Sequence, residues 1–124
     1  MSRTNWEKMV CEKALNSAKS TRRKQYDFVK IKQDELAHYV DDGWEMSKEY
    51  KNPKFVGVSR EKSVQEQFEN KIWLLFASMG FSIMNSDREF FVAYDFRDDS
   101  LVHQVDVLAV DDETIIMVEC YAAD

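Results

Sequence analysis

Two acids stand inside the most apolar stretch of the chain. Asp106 lies in QVDVLAV and Glu119 in IIMVEC, with the acidic run DDE (residues 111–113) between them. Side chains alternate faces along a strand, so Asp106 shares a face with Gln104 and Leu108, and Glu119 with Met117 and Tyr121. A hairpin that pairs Val110 with Ile115 through a four-residue turn places Asp106 directly opposite Glu119. Directly paired Cβ atoms lie roughly 4.5–5.5 Å apart. Two ionised carboxylates that close, in a partly dry site, repel each other. Either one takes up a proton or a cation sits between them, and oxygen ligands with room for water suit Mg²⁺ or Mn²⁺. The inference depends on register, because a slip of one residue sends the two acids to opposite faces. A second reading stays open here: both acids on an outer face, with Val105, Val107, Ala109, Ile116 and Val118 forming the inner one.

Charge supplies the next candidates. Residues 1–32 carry nine Lys/Arg against three acids, whereas the remaining residues carry eight Lys/Arg against twenty acids. Such a split fits a basic face that meets phosphates beside an acidic pocket that needs a cation, and fits equally a solvated helix followed by a charged linker. Arg22, Arg23 and Lys24 are the best phosphate-contact candidates. His38 and His103 have no second ligand at sensible spacing and read as structural. The aromatics from Trp73 to Phe96 read as core. Cys11 and Cys120 are far apart, without CxxC or Cys/His partners, and read as two buried, reduced thiols. Neither a dinucleotide fingerprint, a P-loop nor a GxSxG elbow is present.

These residues need elements to hold them. One domain is expected from the length, divided into a mixed, mainly helical N-terminal extension over 1–60 and a core over 61–124. Thr4 and Glu7 form a capping-box pattern, and Trp6, Met9, Val10, Ala14 and Ala18 recur at helical spacing, which predicts a helix over about 5–19. A strand is expected over 27–31, then a helix capped by Asp34 and ended by Gly43. Further short strands are expected over 44–46 and 54–58. Ser63 and Glu66 form a second capping box before a helix whose Val64, Phe68, Ile72, Leu75, Phe76 and Met79 share one face, with Gly80 as the stop. Strands over 89–94, 101–110 and 114–122 follow. The class is α/β bordering on α+β, with one main helix against a sheet of three or more strands.

A helix acid, a strand aspartate, a hairpin and a second strand acid are the layout of the PD-(D/E)xK nuclease superfamily, which residues 63–124 resemble. Glu69 in FENKIW matches the helix acid, Asp106 the central acid and Glu119 the second acid. More narrowly, FENKIWLLFASMGF, NSDREF and QVDVLAVDDETIIMVEC resemble the nuclease-like segment at the front of some bacterial proteins associated with DNA sulfur modification and phage defence. LAHYVDDGWEM resembles the small segment that precedes it there. The resemblance implies a restriction-endonuclease-like core and a Mg²⁺-dependent DNA endonuclease. In that chemistry Asp106 and Glu119 would ligate the metal, and Gln104 or Glu69 would orient ligands or water. The sequence departs from the family where its lysine should stand, at Tyr121. A phenol is neutral at pH 7 and cannot offset charge growing on a phosphate. The family core also continues into a further helix and strand. The expectation is therefore a nuclease-like protein acting on DNA with impaired or absent catalysis. The alternative is a non-catalytic DNA-binding or assembly module completed by a protein partner or a second copy, and an unrelated α+β protein is the third reading. No apolar run approaches the roughly 20 residues of a membrane span, and the first ten residues hold no secretory core, so a cytoplasmic location is expected.

Overall fold

The computed structural model describes residues 6–93 and 102–121. Thr4, Tyr94, Phe96, Leu101 and Ala122, which enter the expectations above, lie outside them. The chain divides into two compact units, Lys24–Ser63 and a second unit that joins Met1–Arg23 to Val64–Asp124. The boundary expected at residue 60 thus becomes an insertion: the first 23 residues belong with the core.

Lys24–Ser63 is built on three strands. β2 (Tyr26–Lys32), β3 (Glu45–Glu49) and β4 (Phe55–Glu61) form an antiparallel sheet in the order β2-β4-β3, with α2 (Leu36–Asp41) against it. Ile31, Trp44, Val56 and Val58 bury under Leu36 and Tyr39. Gly43 adopts the left-handed conformation (φ 95°) that ends α2, as its position predicts.

The second unit begins with β1 (Met9–Cys11) and α1 (Glu12–Arg23). The helix expected over 5–19 is therefore shifted, because residues 9–11 pair with β5 (Ile83–Asn85). Met9 and Val10 fit a strand edge as well as a helix face, and a pairing partner decides between them. α3 (Val64–Ser78) and β5 precede β6 (Phe90–Ala93), β7 (Val102–Val105), β8 (Val107–Val110) and β9 (Ile115–Val118). The main sheet runs β1-β5-β8-β9, and β6 pairs with β7 as a separate ribbon. Every pairing among the described strands is antiparallel, so the fold is α+β.

The hairpin forms because Asp111 builds its own turn. Its carboxylate accepts the Glu113 and Thr114 amides, at 2.9 and 2.7 Å, and its amide donates to the Thr114 carbonyl. The register follows: Val110 pairs with Ile115 and Val107 with Val118, as the four-residue turn requires.

The face expected of α3 is turned inward only in part: Phe68, Ile72 and Phe76 pack against the core, half-buried. Val64, Leu75 and Met79 are exposed, while Glu69, Asn70, Trp73 and Ala77 are buried. Their spacing is helical, but two of the four are polar, so an apolar pattern does not find them. Trp73 and Ala77 join Leu15, Phe81, Met84, Val107 and Ala109 in the core.

Candidate functional site

Asp106 and Glu119 lie one step beyond the last ladder pair, Val107 with Val118, at the same end of the hairpin. The strand expected over 101–110 is broken at Asp106, where the chain bends between β7 and β8. That bend ends the strict alternation, and each carboxylate finds its own protein partner. Asp106 Oδ2 accepts the Cys120 amide at 2.9 Å. Glu119 Oε2 accepts the Tyr121 hydroxyl at 2.9 Å, and its Oε1 meets His103 Nε2. His103, expected to be structural, thus belongs to the Glu119 group.

Glu69 is only 1% exposed, although it carries a carboxylate. Its Oε2 lies 2.7 Å from Arg88 Nη2 and accepts Gln65 Nε2 at 3.0 Å. Gln65 also donates to the Cys120 carbonyl. A continuous run therefore joins the helix acid to the strand acid: Glu69, Gln65, the Cys120 backbone, Asp106. Arg88 reaches Glu66 as well, at 3.4 Å. Gln104 is exposed and donates to the Arg88 carbonyl at 2.7 Å, so it steadies the loop that carries Arg88. Glu69 Oε1 is buried with no hydrogen-bond partner.

Asn85, buried at the end of β5, fixes the strand that carries Asp106. Its amide donates to the carbonyls of Asp87 and Asp106, and its oxygen accepts the Leu108 amide. Trp73 Nε1 donates to the Asn85 carbonyl at 2.9 Å. Asn85 and Arg88 both lie in the NSDREF string, which gave neither of them a role. Gln65 and Glu69 do stand four residues apart on one helix, the spacing at which side chains meet.

The basic trio separates. Arg22 is buried, donates to Asn70 Oδ1 at 3.0 Å and lies 4.9 Å from the Trp73 ring centre. Burial lowers its pKa to about 10, against the opposing pull of Asp87, Glu69 and Glu66. The expectation of an Arg22 phosphate contact is corrected accordingly: α1 directs that guanidinium into the core. Arg23 and Lys24 are exposed. The thiols also differ from expectation, since Cys11 is exposed and only Cys120 is buried. Burial, then the charges of Asp106 and Glu69, push the Cys120 thiol upward and keep it neutral.

Tyr121 is 81% exposed. Its hydrogen bond to Glu119 raises its pKa, so the group at the lysine position stays uncharged at neutral pH. Among the described residues no cluster of three or more His, Cys, Asp and Glu side chains is arranged to hold a metal ion. The donor set explains this. Asp106 holds an amide, Glu119 holds a phenol and an imidazole, and Glu69 holds a guanidinium. Each of the three carboxylates thus has a protein partner, while Glu69 Oε1 has none.

The chain matches no protein-family model, no curated protein and no solved structure. The site therefore rests on its own geometry. Among the described residues no helix is long and apolar enough to cross a membrane.

Proposed function

We propose that the chain is a nuclease-like protein that engages DNA without efficient cleavage, in the bacterial defence setting of the segments it resembles. The observation that carries this reading is the commitment of the three carboxylates to internal partners, with a neutral phenol where a cation would be needed. The meander of β5, β8 and β9 after an acid-bearing helix supports the nuclease-like part. A second reading, an assembly module, is favoured by β9, which ends the described sheet with Ile115 and Met117 exposed. Such an edge can accept a strand from another chain.

A plasmid-nicking assay with Mg²⁺ or Mn²⁺ tests the proposal, run on the native chain, Asp106→Ala and Tyr121→Lys. The expected result is no metal-dependent nicking by the native chain. Nicking that disappears in Asp106→Ala would overturn the reading. Cleavage gained in Tyr121→Lys would show that the carboxylates can be recruited once a cation is supplied.

A further inference from the structure

The sheet of Lys24–Ser63 has two faces of opposite chemistry. Alternation along β2 turns Val29 and Ile31 toward α2, and Tyr26, Phe28, Lys30 and Lys32 to the other side. That other side is open. Phe28 is 64% exposed, and Tyr26, Lys30 and Lys32 are exposed as well. An aromatic left so far in water on a strand gains nothing from the core.

Lysines and rings interleave on this face. Lys30 pairs with Gly57 on β4, and Lys48 on β3 pairs with the same glycine from the far side. The Lys30 ammonium lies 4.7 Å from the ring centres of both Tyr50 and Phe55, and that of Lys48 lies 5.0 Å from Tyr50. Gly57 makes room for the arrangement, because a Cβ there would come within 2.9 Å of Lys48 Cβ and 3.5 Å of the Tyr50 ring. At the end of β2 a groove of about 520 Å³ is lined by Lys32, Lys54, Phe55, Gln33 and Asp34.

The unit holds eight Lys/Arg and eight acids, and apart from Asp34 in the groove most of them fall into groups. Glu35, Asp41 and Asp42 follow the turn and helix on the covered side, while Lys30, Lys32, Lys48 and Lys54 gather at one end of the open side. Glu45 and Glu61 lie toward the other end, opposite Ser59 and Tyr26. A positive field with exposed rings among its charges complements a polyanion that presents unpaired bases. Duplex DNA hides its base faces and has no use for a ring such as Phe28.

We propose that this open face binds single-stranded DNA. Phe28 stacks on a base, Tyr50 and Phe55 lie further along the face around Lys30, and Lys30, Lys32 and Lys54 contact the phosphates. The inference stands apart from the nuclease-like reading, whose acids lie in the other unit.

The test is fluorescence anisotropy of the full chain with a labelled oligothymidylate of about 16 nucleotides in EDTA, so that metal-dependent cleavage plays no part. The single strand is expected to bind at least tenfold more tightly than a duplex of the same length. Phe28→Ala should weaken it about tenfold. Lys30→Gln with Lys32→Gln should flatten the salt dependence by about 1.4 in log–log slope. Val40→Ala, an exposed change on the covered side, should leave affinity unchanged, and circular dichroism confirms that each variant is folded. Equal affinity for duplex, no affinity for the single strand, or a folded Phe28→Ala that binds as the native chain does would overturn the proposal. So would loss of self-association in Phe28→Ala, which would assign the face to a second copy.

Discussion

Arg88→Ala is expected to destabilise the fold by about 2–3 kcal/mol, and Glu69→Gln by less. The asymmetry follows from burial. Glu69 is almost wholly enclosed, whereas the Arg88 side chain is 36% exposed. Removing Arg88 strands a charge that cannot reach water; removing the Glu69 charge leaves a guanidinium that keeps Glu66 and solvent. The figure lies below the 3–5 kcal/mol of a fully enclosed pair because water already screens one partner. Adding Glu69→Gln to Arg88→Ala should therefore recover about 1 kcal/mol, since it removes the stranded charge. Urea midpoints at unchanged slope give these values. A double variant no more stable than the sum of the singles would show that the two residues are not coupled.

Trp73→Ala should cost about 4 kcal/mol, enough to leave a domain of ordinary stability marginally folded. Three losses combine there. The side chain is fully buried in the main core. Its indole N–H holds the Asn85 carbonyl. Its ring faces the Arg22 guanidinium, which has a second nitrogen, Nη2, already buried without a partner. Trp73→Phe keeps most of the apolar volume and loses the hydrogen bond, so about 1–2 kcal/mol is expected. The same urea series decides it, followed by circular dichroism. Equal losses for the two variants would place the effect in the hydrogen bond and not in the packing.

The hairpin was legible because its turn is written locally. Asp111 caps its own loop, and a four-residue turn admits the register observed. The helix over 64–78 was legible in extent through its capping box and Gly80, but only in part in orientation, because its inward face includes Glu69 and Asn70 beside Phe68, Ile72 and Phe76. Their polar groups are met by Arg88 and Arg22, which come from distant parts of the chain, and by Gln65 one turn away. β1 and β5 were not legible at all. Each is three residues long, too short for a period, and each exists through its partner. The same limit applies at the site. Sequence placed Asp106 and Glu119 at one end of a hairpin, yet the direction of each carboxylate is set by a bend and by the Cys120 amide. Arg22 shows the converse: a basic run read as surface contributes its first charge to the core.

The acids at the end of the hairpin are expected to hold the protein's own groups and not a divalent ion. Paramagnetic broadening of amide resonances by Mn²⁺ reads this directly, with the Cys120 amide as reporter. Asp106, Cys120 and Tyr121 are expected to broaden no more steeply with added Mn²⁺ than the exposed acidic turn at residues 111–113. Selective broadening of Cys120 and its neighbours at Mn²⁺ levels that leave that turn untouched would contradict it.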